Sequence, residues 1–297
     1  MPQLRLIEEI KMTKILYARP IRDKIILDLE NRTKALKEKK IVPWLRVILV
    51  GDDPASQIYT KNKKKFVEKM GGKCDIIRIE KTIEEGPFRE LINNLTSDNE
   101  LHGLLIQLPL PNHLSHIDVG NLIPSSLDVD GLNSINIGEL VKNNKAEKPL
   151  CPCTPKGIVT LLQYYNIPLK GKNICILGRS LIVGRPLSTL LTNYNATVTL
   201  CHSHTKNIQE YTQRADIIIT AIGTPHFLTQ KFINETKNQV LIDVGINTGP
   251  NGKLCGDINF DDVYDKVAAI TPVPGGVGPM TILSLAQNLL QAAENSL

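Results

Sequence analysis

A chain of 297 residues, 42% hydrophobic and 22% charged, has material for two ordinary folding units and the composition of a soluble globular protein. Its formal net charge of +5 is small and dispersed, which argues against nucleic acid as a partner, and no apolar run approaches membrane-spanning length. Residues 1–14 include Glu8 and Glu9 and lack the unbroken apolar core of a signal peptide, so a cytoplasmic protein with no membrane partner is expected.

In chain order, residues 1–12 read as a lead-in, with Met12 as an alternative start to Met1. Ile21, Ile25, Leu29 and Leu36 recur at helical spacing, which predicts a helix from about Pro20 to Lys40, stopped by Pro43. Trp44–Val50 reads as a strand closed by the turn Gly51-Asp-Asp-Pro54. A helix over Pro54–Met70 ends at Gly71-Gly72, and Cys74–Ile79 is a second strand. A helix from about Glu84 to Leu95 and a strand over Gly103–Gln107 complete a strand–helix–strand–helix–strand alternation, the pattern of a parallel α/β sheet.

Residues 112–150 are mixed, with an Asn/Lys-rich loop around 142–148. Thr154-Pro155 predicts a helix start, Thr as N-cap and Pro at the first helical position, with a helix to Tyr165 between the two domains. The alternation then repeats. Strands are expected at Asn173–Leu177, Thr197–Cys201, Asp216–Thr220, Gln239–Asp243 and Val267–Ile270, and helices near 185–194, 206–214 and 229–235. Residues 248–257 are turn-rich, and an apolar helix, Met280–Ala293, closes the chain and is expected to return to the first domain. The fold class is therefore α/β in two domains: residues 1–151 plus 280–297 form a parallel-sheet substrate domain, and 152–279 a Rossmann-type nucleotide-binding domain, with a cleft between them.

The six cysteines, at 74, 151, 153, 175, 201 and 255, form no C-x-x-C pair. Cys151-Pro-Cys153 is too close for ordinary zinc spacing, so reduced thiols and no metal site are expected.

The densest chemical signal is Ile174–Pro186. A strand ends at Gly178, a short loop follows, and a helix begins after Gly184. Helix N-termini in such turns attract phosphate. The fingerprint is irregular: Ser180 and Val183 stand where the second and third glycines are usual, and Gly184 comes one residue late. At the end of the next strand, Ser203 stands where an NAD enzyme usually carries a carboxylate. A hydroxyl there and the guanidinium of Arg179 suit a 2′-phosphate, which favours NADP; purely structural roles for both stand beside that reading. His202 and His204 share a strand face but lack a third metal ligand.

Tyr59 and Lys63 are spaced i, i+4 on one helix face near a strand's carboxyl end, where a buried lysine loses its proton more readily. The neighbouring Lys61, Lys64 and Lys65 read as a solvated basic face. Gln107 ends another strand. Asp128 and Asp130 fit either a turn before Gly131 or a carboxylate pair. Pro272–Pro279, with three glycines and three prolines in eight residues, fits a rigid connector or a substrate wall.

Together these segments resemble the bifunctional methylenetetrahydrofolate dehydrogenase/methenyltetrahydrofolate cyclohydrolase family. Seven motifs occur in order: Val50–Lys63, Gly103–Pro111, Asp128-Val-Asp130-Gly131, Pro152–Gly157, Gly178–Pro186, Cys201–Thr205 and Thr271–Thr281. The resemblance implies an NADP-dependent oxidation of 5,10-methylenetetrahydrofolate and hydrolysis of the methenyl product to 10-formyltetrahydrofolate, in one cleft of a homodimer. It implies that Lys63 is the key catalytic residue, tuned by Gln107, that Tyr59 stacks on the folate and that Asp130 grips the pterin. Pro274, Gly275 and Gly276 would line the same pocket, and Gly178, Arg179, Ser180, Val183, Gly184, Ser203 and Ile246 would bind NADP. The chain departs from the family pattern at Ala18-Arg19-Pro20, Leu127 and Asn288-Leu289. Two other readings stand beside this one: a dehydrogenase of another small substrate, and a folate- or nucleotide-binding protein without turnover.

Overall fold

The computed structural model describes residues 12–143, 149–249 and 252–297. The lead-in before Met12, most of the Asn/Lys-rich loop and positions 250–251 of the turn-rich segment lie outside the described residues.

The chain opens with a short strand, β1 (Lys14–Ile15), and α1 (Arg19–Glu38). A three-stranded parallel sheet follows, ordered β3-β2-β4, from β2 (Trp44–Val50), β3 (Lys73–Ile79) and β4 (Gly103–Ile106). Its crossovers are α2 (Pro54–Lys69) and α3 (Glu85–Thr96). Asp53 starts α2 by accepting the Ser56 N–H at 2.8 Å, with Pro54 at the first helical position. β4 is buried along its whole length, as expected of a strand covered on both faces. The mixed stretch holds two short helices, α4 (Val119–Leu122) and α5 (Ser134–Lys142).

Beyond α6 (Cys153–Tyr164) the chain builds a six-stranded parallel sheet, ordered β1-β11-β8-β7-β5-β6. Its members are β5 (Asn173–Leu177), β6 (Thr197–Cys201), β7 (Ile217–Thr220), β8 (Val240–Asp243) and β11 (Ala269–Ile270), joined by β1. Between them lie α7 (Gly184–Asn193), α8 (Ile208–Arg214), a small hairpin of β9 (Asn247–Thr248) with β10 (Leu254–Cys255), and α9 (Phe260–Val263). β5 pairs with β6 on one side and β7 on the other, Leu177 facing both Cys201 and Thr220. The winding therefore reverses at β5, which opens a crevice at the carboxyl ends of these strands.

The last helix, α10 (Val277–Asn295), packs chiefly on α6 and α1 and also touches α2 and β2. Arg32 of α1 grips Glu294 of α10 with two parallel bonds of 2.9 and 2.8 Å. One apolar core runs from Val47 and Leu105 in the smaller sheet through Leu162 and Leu289 to Ile174 and Ile219 in the larger. All six cysteines are free thiols, four of them buried.

Two expectations about local structure are corrected. α6 starts at Cys153 with Pro152 as its cap, so Thr154 is not the N-cap; its hydroxyl instead lies 3.2 Å from that of Thr281 on α10. Pro155 is tolerated inside the first turn because N–H groups there have no helical partner. The helix expected over 229–235 is only a 3-10 turn, Gln230–Phe232. Asn234 breaks it: its side-chain oxygen accepts from the backbone N–H and hydroxyl of Thr236, and its own N–H goes to Gln239.

Candidate active site

Lys63 sits on the inward face of α2 and is 7% exposed. Its Nζ donates to Gln107 Oε1 at 2.9 Å, just past the end of β4. Gln107 Nε2 donates to the Leu108 carbonyl at 2.7 Å, which fixes the amide so that its oxygen faces the lysine. Burial pushes the Lys63 ammonium below its ordinary value, and the charge of nearby Asp130 partly opposes that. Among the described residues no carboxylate lies within salt-bridge distance of Nζ. The result is a lysine whose neutral form is unusually accessible, held in place by a neutral acceptor.

The two aspartates of the Asp128-Val-Asp130 motif separate in role. Asp128 is 1% exposed and accepts from Gly131 N, Asn133 N and Asn136 Nδ2 at 3.1, 2.7 and 2.9 Å. Burial raises its pKa to about 6, against those bonds. It ties the loop together, which is the turn reading. Asp130 is half-buried and close enough to Lys63 and Cys153 to influence both.

Behind this loop stands Asn288 of α10, fully buried, to which sequence reasoning gave no role, the departure from the family pattern there being Leu289. Its Nδ2 donates to the carbonyls of Val129 and Cys151, each at 2.8 Å, and its Oδ1 accepts from Lys156 Nζ at 2.8 Å. The clasp fixes the backbone just before Asp130 and just before Cys153. An asparagine in the middle of an apolar helix was the available signal.

Tyr59, one turn before Lys63, lines a cavity of about 610 Å³ between α2 and the connector leading into α10. Pro274, Gly275, Gly276 and Ile246 line the same cavity, whereas Lys63, Gln107 and Asp130 do not. Burial pushes the Tyr59 phenol up. Tyr59 Oη and Ile246 Cδ1 both come within 4 Å of the point where a Cβ on Gly278 would stand, at 3.6 and 3.7 Å. The two residues therefore approach one place beside Gly278.

A second cavity, about 500 Å³, lies at the crevice of the larger sheet. Gly178, Arg179 and Ser203 line it, with Cys201 and His202. The His202 imidazole is held below its ordinary value, chiefly by desolvation and then by the Arg179 charge. His202 Nδ1 accepts from the backbone N–H of His204 at 3.2 Å, so one ring nitrogen is used by the turn. Ser180, Val183 and Gly184 do not line this cavity; they follow Gly178 and Arg179, which do. Ser180 Oγ accepts from the N–H groups of Val183 and Gly184 at 3.2 and 3.4 Å, which leaves its own O–H as a donor.

The irregular glycine spacing has a geometric reason. A Cβ on Gly184 would stand 1.9 Å from the Gly178 carbonyl oxygen, and one on Gly178, whose φ is +114°, would stand 2.2 Å from that of Ala221. The loop folds back on its own start, so the glycine needed for close approach falls at 184. A bare-backbone cradle at a helix start, with a guanidinium and two hydroxyls at its rim, fits a phosphorylated dinucleotide.

The sequence model of the tetrahydrofolate dehydrogenase/cyclohydrolase catalytic domain matches residues 16–130, and that of the family's NAD(P)-binding domain matches residues 152–297. The Bifunctional protein FolD of Ligilactobacillus salivarius is 46% identical over 282 residues, covering 95% of this chain and 97% of that protein. Its counterpart from Bacillus subtilis is 45% identical, covering 91% and 93%. Among solved structures, the bifunctional FolD enzyme of Campylobacter jejuni superposes with a TM-score of 0.90 at 42% identity, covering 96% of this chain and all of that one. The Trypanosoma brucei enzyme, complexed with NADP cofactor and inhibitor, superposes at 0.88 with 30% identity, covering 96% and 98%.

Proposed function

The chain belongs to the tetrahydrofolate dehydrogenase/cyclohydrolase family, and on that premise we propose how its residues divide the family's two reactions. The enzyme oxidises 5,10-methylenetetrahydrofolate to the methenyl form with NADP⁺ and hydrolyses that product to 10-formyltetrahydrofolate. The observation that carries the assignment of residues is the buried Lys63–Gln107 pair beside Asp130, next to the cavity that holds Tyr59.

Asp130 accepts two N–H donors from the pterin edge, a geometry that suits one carboxylate. Tyr59 stacks on the folate, Pro274, Gly275 and Gly276 close the wall, and Ile246, in the same cavity, would meet the cofactor. The Gly178 turn would hold the cofactor, with the Ser180 hydroxyl for its phosphates and Arg179 and Ser203 for the 2′-phosphate; Val183 and Gly184 shape that turn. Bound NADP⁺ supplies the hydride acceptor. For oxidation the protein needs chiefly to hold two rings at contact distance. Hydrolysis needs proton transfer. Water adds to the methenyl carbon, and the neutral Lys63 amine takes its proton. Lys63 returns a proton to N5 as the carbon–N5 bond breaks, and the hydroxyl proton leaves to solvent. Gln107 keeps Nζ aimed without adding a charge that would hold it protonated.

The test is to follow methenyl absorbance with purified protein. Appearance that depends on NADP⁺, followed by enzyme-dependent decay, is expected; absence of both would refute the reading. A homodimer, a cytoplasmic location and a supply of one-carbon units for purine biosynthesis belong to the same reading, and light scattering of the purified protein checks the first.

A further inference from the structure

β7 and β8 lie side by side, with Thr220 opposite Asp243 at their carboxyl ends. The turns that follow them face different cavities. Ala221, Ile222 and Thr224, after β7, line the cavity of about 500 Å³. Asp243, Val244, Gly245 and Ile246, at the end of β8 and after it, line the cavity of about 610 Å³. Asp257, between β10 and α9, is fully buried, lines neither cavity and binds both turns. Its Oδ2 accepts from the backbone N–H groups of Ile222 and Gly223 at 2.8 and 3.2 Å, and its Oδ1 from that of Thr224 at 2.9 Å. Oδ1 also accepts from Nδ2 of Asn247, the residue after Ile246, at 2.9 Å. The Asp257 N–H donates to Asp243 Oδ1 at 3.0 Å, and Asp243 accepts further from the N–H groups of Gly245 and Ile258 at 3.0 and 2.8 Å. A Cβ on Gly245 would collide with the Asp257 carboxylate, so the second turn is pressed directly against it.

A buried carboxylate without a cationic partner is destabilising unless its lone pairs are filled. Among the described residues the partners of the Asp257 side chain are all N–H donors. A carboxylate offers two oxygens and carries no hydrogen, so donors from two separate turns can meet at one rigid group. We propose that Asp257 is a positioning residue for hydride transfer: it locks the turn after β7 to the turn after β8, and so fixes the wall of the cofactor cavity against the wall of the folate cavity. The inference rests on the functional reading of the two cavities. On that reading the two reacting rings meet where these walls adjoin, and a misplacement of about 1 Å there costs about 10²-fold in rate. Hydrolysis relies instead on Lys63, Gln107 and Asp130, which come from the first half of the chain, so the two activities respond differently when the walls loosen.

The experiment compares the full-length parent with Asp257→Asn and with the milder Asn247→Ala, which cuts only the side-chain link to the second turn. Asparagine keeps the shape of the aspartate, but its Nδ2 faces two N–H donors, so the turns loosen. The readouts are amide hydrogen exchange of residues 222–224 in the protein without ligands, NADP⁺ affinity by fluorescence titration, and the rates of methenyl formation and decay, formation being measured with ordinary and methylene-deuterated substrate. For Asp257→Asn, exchange at 222–224 should quicken at least about tenfold. Its kcat for formation should fall about 10- to 100-fold, while the Kd for NADP⁺ and the kcat for decay stay within about threefold. The isotope effect on kcat should grow, because the hydride step becomes limiting. Asn247→Ala should lower kcat for formation about three- to tenfold and raise the isotope effect in the same direction; it carries the test should Asp257→Asn not fold. Asn234→Ala, which loosens the same domain away from both cavities, should lower thermal stability and leave the ratio of the two activities, the isotope effect and the exchange at 222–224 unchanged. Formation and decay falling together, an unchanged isotope effect, or unchanged exchange at 222–224 would overturn the positioning role. A parent without NADP⁺-dependent methenyl formation would overturn the functional reading and this role with it, whereas turnover in the parent with an unaltered ratio in both variants sinks the positioning role alone.

Discussion

Replacing Lys63 with Met separates chemistry from binding. The two side chains have similar length, so the α2 face keeps its packing, but the proton carrier is gone. Positioned acid–base groups contribute about 10²- to 10⁴-fold, and cyclohydrolase kcat should fall by that amount, about 3–5 kcal/mol of barrier. The dehydrogenase, which relies on placement, should lose less than tenfold. Stability should move the other way. Burial lowers the Lys63 pKa from 10.5, so between the native value and 10.5 the unfolded chain binds more protons than the native one. Stability therefore rises with pH across that window, and below it the buried ammonium imposes its full cost. Methionine has no such cost, while Gln107 Oε1 loses its 2.9 Å donor, worth about 1 kcal/mol. A net gain in stability at neutral pH, read as a rise in melting temperature, is expected. Parallel assays of methenyl formation and decay, with a thermal melt, check this. Equal loss of both activities, or cyclohydrolase retained within tenfold, would refute the proton-transfer role; a lowered melting temperature would refute the cost assigned to burial.

Three further outcomes follow from the same geometry. Gln107→Glu places a carboxylate near 2.9 Å from Nζ, which favours the ammonium; the rising limb of the cyclohydrolase pH–rate profile should move to higher pH, and an unmoved limb would count against Lys63 as the titrating group. Gly184→Ala would put a Cβ 1.9 Å from the Gly178 carbonyl, a backbone atom that cannot step aside, so NADP affinity measured by fluorescence titration should drop at least about tenfold with folate binding little changed. Asn288→Ala leaves two carbonyls and the Lys156 ammonium without their 2.8 Å partners, and should lower stability in a denaturant titration by about 3–5 kcal/mol.

The strands were the easiest part of the chain to read. Trp44–Val50, Asn173–Leu177 and Thr197–Cys201 stand in the structure with the bounds read from the sequence; the first two are mostly buried parallel strands with few polar interruptions, and the third is an edge strand with alternating exposure. What escaped depends on partners far away in sequence. β1 is two residues long and exists because Lys14 and Ile15 pair with Ala269 and Ile270; no local pattern marks it. The 229–235 segment carried a helical pattern, yet Asn234 and Thr236 took the backbone groups a helix needs. In the site, spacing put Tyr59 and Lys63 on one face, but could not show that one lines a cavity and the other turns inward to Gln107. Nor could it separate Asp128, which ties a loop, from Asp130, which faces Lys63.

The placement of α10 explains why the site holds together. The lysine, glutamine and aspartate all come from the first half of the chain, whereas the cradle for the dinucleotide belongs to the second. A hinged pair of domains would leave the distance between them loose, yet effective positioning demands that reacting atoms stay near contact distance. Here the last helix leaves the connector after β11 and packs on α6, α1, α2 and β2. It is bonded to α1 through Glu294, to α6 through Thr281 and Lys156, and to the backbone around Asp130 through Asn288. Its start, at Val277 and Gly278, forms part of the cavity wall. Asn288 is thus an expensive polar group in an apolar helix for a physical reason: it fixes the loop that carries Asp130 from the same element that borders the cavity.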